Sequence, residues 1–255
     1  MYSIGIDSGS VATKAVLFNG EVVDYIISPT GWNPKESSKN IYKEILEKNK
    51  IYKSQIVNVI GTGYGRISMD FIDKAITEIT CHAKGMHYLN TDTRTILDIG
   101  GQDSKVINID ENGNVIDFFM NDKCAAGTGR FLQVMAVTLG IDIEKIDEEI
   151  DINKKAQKIS SMCTVFAESE VVSLLAQGMD KASIFLGILE SIGDRASTML
   201  HRINLNAEIS FSGGVAKSNL IKKIIEKKIK KEIYVPYNSQ IIGALGAAVK
   251  GYKID

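Results

Sequence analysis

The chain has 255 residues, 44% of them apolar, which is enough for one large or two moderate domains with a sizeable core. Its 30 Lys and Arg against 31 Asp and Glu leave a net charge of −1, so no global basic balance points to nucleic acid. No apolar run approaches the ~20 residues that cross a bilayer, and the opening MYSIGIDSGS lacks the charged region and apolar core of a signal peptide, so a cytoplasmic protein is expected.

Residues 3–7 (SIGID) read as a strand ending at Asp7, SGSVATK as a tight turn, and AVLFNGEVVDYII as a hairpin turning at Asn19-Gly20. Residues 37–50 read as a helix and 56–60 as a buried strand. GTGYGR (61–66) is a Gly-rich loop whose Arg66 could reach a phosphate, a partner, or neither. Residues 68–89 show one long helical pattern carrying Cys81 and His82. Cys81 reads as a core residue. His82 and His87 are five apart, share no helix face well, and predict no metal site.

From Thr95 the opening pattern returns. Asp7 matches Asp98, Gly9 matches Gly100, Thr13 matches Ser104 and Lys14 matches Lys105, at a constant offset of 91 residues. After a two-residue insertion, Val22-Val23-Asp24-Tyr25 matches Val115-Ile116-Asp117-Phe118. An internal repeat governs the fold expected. Two related α/β subdomains should face each other, with the two Asp/Gly turns lining a cleft between them.

The remainder reads as helices over 130–139, 153–158, 164–178 and 181–203, a strand over 208–212 and a Gly-rich turn, GGVAKS. A helix over 219–231, a strand over 233–235 and a last helix over 239–252 follow, with GALGAA in the last packing closely on a neighbour. The basic run 222–231 is a solvated helix face, and His201 is a surface residue.

Each strand-to-turn junction offers a carboxylate, glycine, hydroxyls and lysine. Glycines let backbone N–H groups approach phosphate oxygens. Asp7, Gln102 and Asp103 are the candidate catalytic residues, able to hold Mg²⁺ through water or to position the attacking water. Candidate cofactor-binding residues are Ser10, Val11, Ala12, Thr13 and Lys14 on the first turn, and Gln102 and Ser104 on the second. Gly213, Gly214 and Lys217 stand on a third turn, with Gln240 ahead of the last helix. The third turn admits a flat ring or ribose, and the helix start after it favours phosphate.

Cys124 and Cys163 each stand just before a helical run, where the positive end of the helix dipole lowers a thiol pKa. Three cysteines predict no disulfide in a reducing compartment and fall short of the four ligands most zinc or iron–sulfur sites need. Glu168 and Glu170 read as first-turn acids pointing away from any site at Cys163.

DSGSVATK, DIGGQDSK and FSGGVAKS, with GALGAA, resemble the two phosphate motifs and the adenosine motif of the actin/hexokinase/Hsp70 ATPase superfamily. GxxxxGK[ST] is absent. More narrowly, NDKCAAGTGRF and SSMCTVFAESE resemble the activators of 2-hydroxyacyl-CoA dehydratases, a group that includes the benzoyl-CoA reductase ATPase subunits. The resemblance implies two ribonuclease-H-like subdomains, 1–93 and 94–255, hinged around ATP/ADP and Mg²⁺, with the last helix packing back on the first. It also implies one [4Fe–4S] cluster per homodimer, ligated by Cys124 and Cys163 of both copies. The activity implied is ATP-driven one-electron donation to a 2-hydroxyacyl-CoA dehydratase, with a ferredoxin or flavodoxin as electron source. An aryl-CoA reductase ATPase subunit, a small-molecule kinase and a nucleotide-regulated structural protein are the alternatives. Residues 121–140 would then act as a lever, with Thr128 and Gly129 toward the nucleotide and Cys124 toward the dimer axis.

Overall fold

The computed structural model describes residues 1–160, 163–203 and 208–253, so SSMCTVFAESE is seen apart from Ser161 and Met162. The first half is β1 (Tyr2–Ser8), β2 (Ala12–Phe18), β3 (Val22–Pro29), α1 (Pro34–Asn49), β4 (Ile56–Thr62), β5 (Lys74–Ala75) and α2 (Glu78–Leu89). The second half begins with β6 (Thr95–Ile99), β7 (Ser104–Ile109), β8 (Val115–Asn121), α3 (Gly129–Leu139), α4 (Ile146–Glu149) and α5 (Thr164–Ala176). It continues with α6 (Lys181–Leu200), β9 (Ile209–Ser212), α7 (Asn219–Ile229), β10 (Ile233–Tyr234) and α8 (Ile242–Tyr252).

The repeat is a repeat of topology. One sheet runs β3-β2-β1-β4-β5 and the other β8-β7-β6-β9-β10. Asp7 pairs with Lys14 across the β1–β2 ladder, and Asp98 with Lys105 across β6–β7. In each half an antiparallel hairpin precedes a parallel strand, β4 beside β1 and β9 beside β6.

Strand alternation assigns the faces. Ile4 and Ile6 meet Ile41 and Ile45 of α1 on one face of the first sheet. On the other face Ser3 donates to the Ala248 carbonyl at 2.7 Å, and a Cβ at Gly5 would lie 1.9 Å from the Ala244 oxygen. Val16 and Phe18 complete the contact with α8. In turn, Ala83 and Met86 of α2 pack on Ile96, Ile107 and Ile109 of the second sheet. Each half therefore ends in a helix that lies on the other half's sheet. The two helices meet closely: a Cβ at Gly246 would stand 1.7 Å from the Cys81 carbonyl oxygen. The GALGAA run permits that approach. Cys81 is fully buried.

Two expected helices are corrected. In 68–89 the helix starts only at Glu78, capped by the Thr77 hydroxyl. Ahead of it Asp73 pairs with β4, its N–H donating to the Val59 carbonyl and its carboxylate accepting from the Val59 N–H. Met69, Phe71 and Ile72 have helical spacing but cover the first sheet's core from a bent, non-helical chain. Residues 153–158 are irregular. The Gln157 N–H donates to the Ser183 carbonyl, and a Cβ at Gly187 would overlap the Gln157 oxygen at 1.8 Å, so this segment is laid across α6. Arg66 donates to the Gly63 carbonyl at 2.9 Å and braces its own loop.

Candidate active site

The carboxyl ends of β1 and β6 face one cleft, lined from both halves. Lys14 Nζ lies 3.1 Å from Asp7 Oδ2, and Lys105 Nζ 3.1 Å from Asp98 Oδ2. In each turn a glycine N–H closes back on the chain, Gly9 to the Ala12 carbonyl and Gly100 to the Asp103 carbonyl. The two turns touch. A Cβ on Gly101 would fall 2.3 Å from Val11 Cγ2 and 3.3 Å from Ser10 Oγ.

Of the residues expected, Asp7, Ser10, Val11, Ala12, Lys14, Asp103, Gly213, Gly214, Lys217 and Gln240 line the cleft. Thr13 and Ser104 lie outside that lining. They neighbour Lys14 and Lys105 on their strands, so the two-residue period turns them to the opposite face. Thr13 Oγ1 instead lies 2.9 Å from Thr30 Oγ1. Gln102 is exposed on the second turn, outside the lining.

Glu78, His82, Asp98 and Lys105 were missed as site residues. Asp98 and Lys105 were signalled by the repeat, whereas Glu78 and His82 reach the floor from α2. Lys105 contacts Asp98, Asp103 and, at 3.5 Å, Glu78 Oε2. Burial works against its charge, but the Asp98, Asp103 and Glu78 carboxylates outweigh it and raise its pKa above the ordinary lysine value. Burial likewise opposes the charge on Asp98, yet His82 and Lys105 hold its carboxyl well below the usual range.

The third turn packs closely on the second sheet and on Gln240. Gly213 has φ +92°, and a Cβ there would meet the Ile99 oxygen at 2.2 Å. A side chain at Gly214 would press on Gln240 Nε2 at 3.3 Å. Leu132, Ile143, Ile146 and Val215 add an apolar wall. The start of α7 is closed to phosphate, contrary to expectation. Asp147 already accepts there from the N–H groups of Asn219, at 2.7 Å, and Leu220, at 3.1 Å, and from the Ser218 hydroxyl.

Cys124 and Cys163 are free thiols outside the core, half-buried and exposed respectively. Their surroundings fit metal ligation better than those of Cys81, whose pKa burial pushes up to about 12. Among the described residues no three His, Cys, Asp or Glu side chains converge on one metal position. Among the described residues one copy thus offers two accessible thiols, Cys124 and Cys163, and no group of three such ligands. Cys163 is the N-cap of α5. Cys124 is not at a helix start, because Ala125–Thr128 forms a turn first, with Gly127 at φ +87°, and α3 begins at Gly129. The first N–H groups of α3 donate to the second phosphate turn, Gly129 to the Gly100 carbonyl at 2.9 Å and Arg130 to the Gly101 carbonyl at 2.8 Å. Gly129 lines the cleft, while the buried Thr128 turns its hydroxyl to the Ala125 carbonyl. Glu168 and Glu170 lie beyond the first turn of α5. Glu168 is exposed, and Glu170 accepts from the N–H and hydroxyl of Ser160.

The chain is similar to solved and named proteins over nearly its whole length. It is 41% identical over 257 residues to the 2-hydroxyisocaproyl-CoA dehydratase activator of Clostridioides difficile, covering 99% of this chain and 95% of that protein. The structure of the activator of the 2-hydroxyisocaproyl-CoA dehydratase from Clostridium difficile with bound ADPNP superposes with a TM-score of 0.91 at 39% identity, covering 99% and 94% of the two chains. Component A of the Acidaminococcus fermentans (R)-2-hydroxyglutaryl-CoA dehydratase superposes at 0.93 with 38% identity, covering 99% and 98%. The two facing sheets are the actin-like ATPase fold expected from the sequence. The model of the BadF/BadG/BcrA/BcrD ATPase family matches residues 4–251, and the chain belongs to that family.

Proposed function

We propose that this protein is the ATP-hydrolysing, electron-donating activator of a 2-hydroxyacyl-CoA dehydratase. The observation that carries the reading is the pair of hydrogen bonds from Gly129 and Arg130 to Gly100 and Gly101. They tie the second phosphate turn to the segment that follows Cys124. The names of the relatives supply the substrate class of the partner.

Lys14 and Ser10 would bind phosphate. Asp7 and Asp103 would orient Mg²⁺ and the attacking water, and Gln102 would have to turn inward to join them. Leu132, Ile143, Ile146 and Val215 would receive the base. The chain works as two halves, 1–93 and 94–255, that close on ATP. Closure would move the second turn and, through Gly129 and Arg130, the start of α3 and the Cys124 loop.

Cys124 and Cys163 of two copies would hold one [4Fe–4S] cluster, which supplies a single low-potential electron when bound. The exposed apolar residues of α5 support a homodimer, since Val165 and Phe166 follow Cys163 directly and Val172 is exposed further along the helix. A ferredoxin or flavodoxin would be the electron source. Three free cysteines suit the reducing cytoplasm. Purification without oxygen tests the reading. A brown dimer with ATP-dependent electron transfer is expected, and a colourless protein that phosphorylates a small alcohol or acid would overturn it.

A further inference from the structure

His82 is a buried histidine in the cleft floor, 7% exposed. Its Nδ1 lies 2.9 Å from the Glu78 carbonyl oxygen, and its Nε2 3.3 Å from Asp98 Oδ1. A neutral imidazole has one N–H. Here both ring nitrogens face groups that only accept, so the form that satisfies both is the imidazolium. Asp98 has further partners in turn. Its Oδ1 also accepts from the Ser212 hydroxyl at 2.7 Å, and its Oδ2 accepts from Lys105. Lys105 reaches on to Asp103 of the second turn and to Glu78. Glu78 and His82, one helical turn apart on α2, thus meet Lys105 and Asp98 of the second sheet. Asp7 occupies the same place in the first repeat, and its one ion-pair partner among the described residues is Lys14.

We infer that His82 is a positioning residue for ATP turnover: as a charged ring it holds Asp98, and through Asp98 it sets Lys105 and Asp103, so that the second turn is presented to the nucleotide. The charge balance supplies the reason. Six carboxylates, Asp7, Glu78, Asp98, Asp103, Glu144 and Asp147, line the cleft with three lysines, Lys14, Lys105 and Lys217. The ring adds a fourth cation. Without it, Lys105 is drawn toward Asp98 and its hold on Asp103 weakens. The charged groups around the ring are Asp98 on β6, Lys105 on β7, Asp7 on β1 and Glu78 on its own helix. From α8 it meets Gly243, where a Cβ would stand 2.9 Å from His82 Cε1. Burial opposes the ring's charge, but Asp98 pushes its pKa up to about 9.

The test has two arms. Nitrogen NMR of the full-length protein, labelled at its three histidines, reads the ring directly. Signals are assigned by removing His87 and His201 in turn. His82 should be an imidazolium at pH 7.5 and titrate near pH 9. The kinetic arm rests on the cleft being the ATP site, which weakened nucleotide binding by Lys14→Met checks separately. His82→Gln should lower kcat for ATP hydrolysis about tenfold, with KM for ATP within about threefold. It should also lose the alkaline limb that wild type shows near the ring's titration. A neutral ring at pH 7.5 overturns the proposal. So does a variant with wild-type kcat, or one whose activity falls equally at every pH from 7 to 10, the mark of a purely structural role. Should His82→Gln fail to fold, the wild-type ring titration and alkaline limb decide together: coincidence supports the proposal and disagreement overturns it.

Discussion

Lys14 and Lys105 occupy the same register position in the two repeats, and each Nζ lies 3.1 Å from its aspartate, yet their surroundings differ. Lys105 is enclosed by three carboxylates with its side chain 2% exposed, whereas Lys14, 15% exposed, has Asp7 as its one ion-pair partner among the described residues. The repeat has diverged into one partly exposed cation lining the cleft and one buried cation that ties the two halves together.

Lys14→Met should therefore weaken ATP binding about tenfold or more, in keeping with ~1.5–3 kcal/mol for a hydrogen bond to a charged group. Lys105→Met should instead cost ~3–5 kcal/mol of stability, because it strands buried carboxylates without their cation. Nucleotide titration and urea unfolding of both variants check this. If Lys14→Met is the more destabilised, the assigned asymmetry is wrong.

The α2–α8 contact makes a second prediction. Gly246→Ala places a methyl 1.7 Å from the Cys81 carbonyl oxygen, a backbone atom that cannot turn aside. Separating the two helices should destabilise the fold by about 3 kcal/mol. An unchanged denaturation midpoint would show that the helices move apart freely.

The cysteines divide by burial. Cys124→Ser and Cys163→Ser should each abolish iron retention and visible colour after anaerobic reconstitution, with ATP hydrolysis retained. Cys81→Ala should keep the iron and lose stability only. Iron per dimer, absorbance and light scattering measure the outcome. Phe166→Glu, on the exposed face of α5, should shift the dimer toward monomer. Iron that survives loss of either Cys124 or Cys163 would exclude them as ligands.

Stability should depend on pH at both ends. The folded pKa of His82 is raised from 6.5 to about 9, so its contribution is fully present below about pH 6.5 and is lost as pH rises through about 9. The folded pKa of Asp98 is depressed below 3.8, so its contribution is present above the ordinary carboxylate value and is lost as pH falls through the lowered one. Urea midpoints from pH 6 to 10 should fall toward the alkaline end in wild type and stay flatter in His82→Gln. A wild-type midpoint constant to pH 10 would contradict a charged His82.

The repeat was legible because β-hairpin registers keep their spacing in sequence. Asp7 with Lys14 and Asp98 with Lys105 could be matched by offset alone, and the matching sheet orders followed. Residues on the three turns could be read from their glycines and polar neighbours. The two accessible cysteines stood out by their place just before helical runs and through family motifs. Packing overruled local pattern elsewhere. Met69, Phe71 and Ile72 have helical spacing, but Asp73 is held against β4 and the chain there is bent and non-helical.

The sequence by itself determined the two-fold plan and the glycine-rich turns that line the cleft, because these depend on local register and on glycine. Tertiary structure alone decided which face each polar residue took and what lay opposite it. Thr13 and Ser104 turned away from the cleft, Asp147 closed the start of α7, and Glu78 and His82 arrived on a helix that crosses to the other sheet. Long-range packing and buried charge balance make those choices, and neither is written in the spacing of any one segment.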